Sequence, residues 1–155
     1  MKRILSFVYW YLPALGIQYI GSILTYPHIE GWYKGLDKVF WTPPDWVFGP
    51  VWTFLYIIMT VCIWRIYQKP KTKDHRRAYL LYAIQLILNG LWTYLFFSQQ
   101  KIFLAMIDLI LLALILSALL RIFWKIDSFS GWLWTLYLVW VLLACTLNIG
   151  IYILN

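Results

Sequence analysis

Three tryptophans, Trp52, Trp92 and Trp140, stand on helical repeats with amide-bearing, aromatic or small neighbours. Gln85, Asn89, Trp92 and Phe96 recur at intervals of four, three and four, and Trp140, Ala144 and Asn148 at intervals of four, so each set shares one helix face. Trp52 with Tyr56, and Ala14 with Gln18 and Ser22, repeat the pattern on two further stretches. Flat rings give contact area and neutral amides give orientation, which suits a pocket for a planar apolar guest. The same residues also serve as glue between membrane helices, at about 0.6–2 kcal/mol per hydrogen bond. The bulk of Trp beside Asn on two separate faces favours the pocket.

Other chemistries find little support. Asp108 is the sole ionisable residue within the apolar spans. A charge there costs about 2.5–3.5 kcal/mol on insertion scales, so Asp108 is expected to face the interior and find a donor. Two roles fit it: a proton relay in a proton-linked transporter, or a hydrogen-bonded structural carboxyl. Cys62 and Cys145 lie in predicted helices without metal-ligand spacing, and His28 and His75 are placed in loops, so no metal site and no cofactor is expected. No lysine lies within a span to form a Schiff base with retinal. No acid, base and nucleophile set supports hydrolysis.

The elements that must position these residues are set by composition. The chain of 155 residues is 63% apolar and 12% charged, against about 45–50% and 25% in a soluble domain. Five apolar stretches, 4–26, 46–64, 78–100, 102–120 and 128–155, are each long enough to cross a bilayer. The alternation of a membrane β-barrel is missing. The expected fold is therefore all-α, one integral membrane bundle of five transmembrane helices over about 4–26, 46–66, 78–98, 102–123 and 130–153. The first stretch exceeds the roughly 7–15 residue core of a signal peptide and lacks a small-x-small site, so it is expected to be retained.

Ten basic residues, Lys2, Arg3, Arg65, Lys69, Lys71, Lys73, Arg76, Arg77, Arg121 and Lys125, fall on one side, against Lys34, Lys38 and Lys101 on the other. The positive-inside rule predicts a cell-membrane protein with a cytoplasmic amino terminus and with the first loop and carboxy terminus outside. The net charge of +7 is accounted for by topology and anionic lipid, and no nucleic-acid groove is indicated.

The first loop, 27–45, is long and ring-rich, and is expected to fold over the outer mouth of the bundle as a lid. Pro43 and Pro44 force an extended entry into helix two, Asp45 is expected to be its N-cap, and Pro50 to lie in its first turn. Ala83 and Gly90, seven apart, suggest a small-residue seam between subunits.

These residues also carry a resemblance. Trp32-Tyr33, Leu36, Lys38, Trp41-Thr-Pro-Pro44, Trp46, Pro50-Val-Trp52 and Leu55-Tyr56 resemble the signature of the TspO/MBR family, the tryptophan-rich sensory proteins related to the mitochondrial translocator protein. Gln85, Asn89, Phe96-Phe97 and Asp108 resemble its middle helices, and Trp140, Ala144 and Leu147-Asn148 its fifth. The resemblance implies a five-helix bundle, often a homodimer, whose outer cavity binds tetrapyrroles such as protoporphyrin IX and benzodiazepine-type ligands. Family members are further linked to sterols, stress signalling and, in some bacteria, light-dependent porphyrin breakdown. Two positions depart from the pattern: Val39 replaces the usual proline of loop one, and Tyr152 lacks the basic residue that the sterol pattern requires after it.

On that footing Trp52, Trp92 and Trp140 are expected to pack against a macrocycle, with Asn89 and Asn148 as polar contacts and Ala144 leaving room. Lys34 and Lys38 are expected to meet propionates at the mouth, and Tyr33, Trp41, Pro44, Tyr56 and Asp108 complete the expected ligand site. Trp52 and Trp140 are the candidate electron or radical partners if the pigment is degraded. A metal-free porphyrin needs no axial ligand, in keeping with the missing cavity histidine.

Overall fold

The computed structural model describes residues 2–155, and among them every regular element is helical. Helix α1 spans Lys2–His28, α2 Asp45–Gln68, α3 Lys73–Thr93, α4 Ile102–Ile126 and α5 Ser128–Leu154. All five are long and apolar enough to cross a membrane. Each pair α1–α2, α2–α5, α5–α4, α4–α3 and α3–α1 is in contact, so the helices close a ring in the order α1, α2, α5, α4, α3.

Two helices run on as π-helical turns, Ile29–Tyr33 after α1 and Tyr94–Ser98 after α3. In the first, the Lys34 N–H reaches back five residues to Ile29 O. In the second, Gln99 N–H bonds to Tyr94 O at 3.0 Å. Each wider turn puts successive rings on one side: Trp32 and Tyr33 come from one, Phe96 and Phe97 from the other, and the four meet edge-to-face or tilted at 5.0–6.4 Å. Gln100 then ends the α3 extension in the left-handed region, at φ 54°.

The long first loop is therefore corrected. Helical structure continues past Pro27 to residue 35, leaving only 36–44 irregular. A proline removes one donor from the ladder, and here the i→i−5 turn and the ring contacts of Trp32 and Tyr33 carry the chain through. Segment 36–44 lies along the end of α5. Asp37 N–H donates to Asn155 Oδ1, and Asn155 Nδ2 donates back to Asp37 O, both at 3.1 Å. Trp41 Nε1 donates to Thr146 Oγ1 at 3.3 Å. Val39 fits against Gly150, where a Cβ would collide with its methyl group, which gives the Val in the proline position a packing role.

Three further expectations change. Asp45 is the first residue of α2 with Pro44 at the cap, and no side-chain cap bond forms. Pro50 falls inside α2 beyond its first turn. His75 is buried in the first turn of α3, its Nδ1 accepting from Thr72 N–H at 3.0 Å and its Nε2 facing Ile66 O at 3.0 Å, a set that only the Nε2–H tautomer satisfies.

One half of the ring is solid. Met59, Cys62, Ile63 and Ile66 of α2, Tyr82 of α3, Leu112, Leu116 and Phe123 of α4, and Trp134 and Tyr137 of α5 fill it with essentially no exposure. A charged clasp closes that end. Asp127, in the α4–α5 turn, accepts from Arg65 Nε at 2.8 Å and Nη2 at 3.0 Å, from Lys69 Nζ at 3.0 Å, and from Ser130 N–H and Oγ–H. The Arg65 guanidinium above all, with Ser130 and Lys69, holds the Asp127 carboxyl well below the usual carboxylate range despite its burial. Gly90 packs within the chain: a Cβ there would touch Ile17 at 3.4 Å, so it lets α1 approach α3, while Ala83 of the same stripe is exposed.

Candidate functional site

The other half of the ring is hollow. A cavity of about 420 Å³ lies among α1, α2, α3 and α5, within the roughly 300–1,000 Å³ of small-molecule sites. α4 supplies none of its described wall residues. Of the residues singled out by spacing, Gln18, Ser22, Trp52, Tyr56, Asn89, Trp92, Phe96, Trp140, Ala144 and Asn148 line it together with Tyr33.

The rings are ordered. Trp52 stacks on Trp92, centroids 6.2 Å apart at 26°, and Trp92 on Phe96 at 5.5 Å and 21°. Three near-parallel rings from two helices thus form one wall. Trp140 stands on α5 with its edge to Phe48 of α2 at 5.8 Å, and Ala144, one turn on, keeps that side shallow.

Polar atoms in the walls are mostly committed within the chain. Trp92 Nε1 donates to Asn148 Oδ1 and Asn148 Nδ2 to Ile102 O, each at 3.1 Å. Tyr56 OH reaches Asn89 Oδ1 at 3.5 Å, Asn89 Nδ2 donates to Tyr137 OH, and Tyr137 OH donates to Gln85 Oε1 at 2.9 Å. Gln18 Nε2 donates to Thr53 Oγ1 at 3.0 Å and ties α1 to α2. Trp140 Nε1 has no partner and is itself buried, without surface toward the cavity.

The opening is lateral. The wall residues that are also exposed are Ser22 and Tyr26 of α1 and Asp45, Gly49 and Thr53 of α2, so the cavity gives out between these two helices. Near it, Lys34 Nζ is held by Glu30 Oε2 at 2.7 Å. Glu30, by hydrogen bond and by charge, raises the Lys34 ammonium above its ordinary value, and Asp45 adds a smaller effect of the same sign.

Five expected site residues are placed elsewhere. Trp41 lies on α5, Pro44 caps α2, and neither lines the cavity. Lys38 Nζ sits 4.5 Å over the Tyr33 ring and donates to Leu36 O at 3.1 Å, behind the wall that Tyr33 forms. Asp108 is buried on α4, away from the cavity, and neither carboxyl oxygen has a hydrogen-bond partner, so the donor expected for it is absent among the described residues. Lys34 also stays outside the wall.

Spacing had left Phe48, Asp45 and Gly49 aside, although they extend the Trp52–Tyr56 face of α2 by one and two turns, and Leu147 and Ile151 likewise continue the wall on α5. Reading each stripe outward from its tryptophan would have found them. Phe97 carries no such signal, since the π turn alone brings it beside Phe96.

Comparison with known proteins shows the family. The sequence profile of the TspO/MBR family matches residues 10–154. The tryptophan-rich protein TspO of Archaeoglobus fulgidus is 37% identical over 154 residues, covering 99% of each chain. The tryptophan-rich sensory protein of Cereibacter sphaeroides is 33% identical over 138 residues, 89% of this chain and 84% of that one. The human translocator protein is 33% identical over 140 residues, 88% of this chain and 81% of its own. With five spanning helices and similarity running from one end to the other, this multi-pass membrane protein belongs to the TspO/MBR family.

Proposed function

We propose that the chain is a membrane receptor for planar, largely apolar ligands of the tetrapyrrole class, protoporphyrin IX being the test case. The observation that carries this reading is the stacked Trp52–Trp92–Phe96 wall facing a cavity open to the side. A flat guest entering between α1 and α2 would lie against those rings, with the small side chain of Ala144 leaving space on the α5 side. Side entry suits a ligand that partitions into the bilayer.

Tryptophan fluorescence tests it. Titration with protoporphyrin IX in micelles should quench saturably in the wild type, and Trp52→Phe with Trp140→Phe should weaken affinity about tenfold or more, as loss of indole area implies. Unchanged affinity in the double variant would overturn the reading.

Trp52 and Trp140 also suit a second step, light-dependent pigment loss in air, in which the excited porphyrin and dissolved oxygen supply the chemistry and the indoles are nearby electron or radical partners. In membranes we assign the amino terminus and the α2–α3 and α4–α5 turns to the cytoplasm, on the ten basic residues of that end. A homodimer and a part in stress signalling follow the family resemblance. Asp108 favours no transport path, since it lies apart from the cavity.

A further inference from the structure

We propose that aromatic side chains of the solid half form a relay for oxidising equivalents, carrying an electron hole from the cavity wall to the basic end of the molecule. The inference rests on the receptor reading, because the oxidant is a photoexcited tetrapyrrole held in the cavity. The rings are continuous. Trp52, in the wall, lies 6.2 Å from Tyr56 between centroids, and Tyr56 OH, Asn89 and Tyr137 OH are joined by hydrogen bonds. Tyr137 stands 5.2 Å from Trp134, and Trp134 6.4 Å from Tyr82. Tyr82 is 5.8 Å from Trp10, which touches Tyr79 at 5.1 Å and Tyr67 at 6.2 Å. The series runs from α2 through α5 and α3 to α1 and ends where α2 turns into α3, beside Lys71.

It also has a direction. An indole gives up an electron with its proton retained more readily than a phenol does, so Trp134 and Trp10 are the stations and Tyr137 and Tyr82 the bridges. Neither station faces a base: Trp134 Nε1 donates to Leu116 O at 3.1 Å, and Trp10 Nε1 is buried without a partner, as is Tyr82 OH. A hole there stays a cation, which an apolar interior disfavours, and it moves on. At the far end Tyr67 is 42% exposed and Tyr79 half-buried. The Tyr79 oxygen accepts from Lys71 Nζ at 2.7 Å, leaving its own proton free to pass to water. Loss of that proton gives a neutral tyrosyl, which the basic end does not repel, and the hole is held there.

The electrons balance with dioxygen as the acceptor. The excited porphyrin takes one electron from Trp52 and hands it to dioxygen, which leaves as superoxide, and the pigment returns to its starting state. Trp52 is refilled from Trp134, Trp134 from Trp10, and Trp10 from Tyr67 or Tyr79, whose phenol proton goes to water. A water-soluble hydrogen-atom donor of the ascorbate class restores the tyrosine. The relay thus spares the indoles of the wall from oxidation by their own guest.

The test illuminates protein loaded with protoporphyrin IX in micelles under air, freezes it for electron paramagnetic resonance, and maps oxidised residues by peptide mass spectrometry. The wild type should give a tyrosyl signal that ascorbate removes, and Tyr67→Phe with Tyr79→Phe should lose it. Trp10→Phe should lose it as well, with pigment affinity unchanged, and should move the oxidation products back to Trp52 and its neighbours in the wall. Trp134→Phe should do the same, and the half-buried Trp10 decides the matter if that fully buried variant does not fold. Trp64, whose ring meets Phe7 outside the series, serves as control, and Trp64→Phe should change neither readout. If protoporphyrin IX binds but no tyrosyl forms, or if signal and wall oxidation are the same in Trp10→Phe as in the wild type, the relay is wrong and the receptor reading stands. If protoporphyrin IX does not bind the wild type, the receptor reading itself fails and the relay with it.

Discussion

Asn148 shows how a residue can line a site without being free to bind in it. Its oxygen accepts from Trp92 and its nitrogen donates to Ile102 O, so it holds the indole at a fixed angle to Trp52. Asn89 is tied in the same way to Tyr56 and Tyr137. The amides are thus positioning groups for the rings, and the pocket and glue readings of the same stripes are both realised. At the solid end Asp127 has the opposite character, a charge with several donors. Its folded-state affinity for protons is depressed, so its contribution to stability is complete above the unfolded carboxyl value of about 3.9 and is lost as the pH falls below it. Asp127→Asn should lower stability by about 1–2 kcal/mol near neutrality, since Arg65 and Lys69 are partly exposed and the clasp is only half dry. Thermal melts in detergent should show the wild type losing midpoint between about pH 4 and 2 more steeply than the variant; parallel profiles would contradict the assignment. Asp108 makes the converse case. With no partner for either oxygen, Asp108→Asn should hold or raise the melting midpoint and leave pigment affinity unchanged, whereas a marked loss of stability would mean that the carboxyl is an essential structural group.

At the scale of elements, the two π turns decide which rings close one end of the cavity wall, Tyr33 from one and Phe96 and Phe97 from the other. The extension of α3 ends on Gln100 in the left-handed region, followed by Lys101 N–H bonding to Leu95 O at 2.9 Å. An L side chain there costs about 1–2 kcal/mol, part of which glycine recovers against its greater freedom when unfolded. Gln100→Gly should therefore raise stability by about 0.5–1 kcal/mol, read as a higher melting midpoint; no change or a decrease would show that the Gln side chain compensates the backbone. The interiors of α2, α3 and α5 were legible in the sequence because apolar continuity sets a span and four-residue recurrence sets a face. The end of α1 was not. Pro27, His28, Glu30 and Gly31 carry every local mark of a loop, and only ring contacts made across the bundle by Trp32 and Tyr33 keep the segment helical. For the same reason the path of 36–44 could not be read. Its anchors are Asn155, Thr146 and Gly150, more than a hundred residues away.

Across the whole molecule, stability and access are divided between the two halves. Only 6% of the apolar stretch of α1 is buried, against 39% in α2, α3 and α4, so α1 is the most exposed wall of the cavity. It is also one of the two helices that border the opening, and the Gln18–Thr53 bond ties it to α2 beside the cavity, as bonds from Trp64 and Gln68 to Ser6 do at the far end. Local opening free energies follow buried contact, so the outer half of α1 should exchange its backbone hydrogens sooner than α4 or the packed stretch of α2 around Met59–Ile66. A ligand that binds the closed form stabilises it in proportion to the logarithm of its occupancy ratio. Hydrogen exchange read by mass spectrometry, with and without saturating porphyrin dimethyl ester, should therefore show protection concentrated over residues 18–33 and 45–56, with little change in α4. Protection spread evenly over all five helices would mean that the guest acts through global stability, and protection confined to 36–44 would restore that segment as the cover of the site. The first pattern alone agrees with a guest that enters between α1 and α2 and rests on the Trp52–Trp92–Phe96 wall.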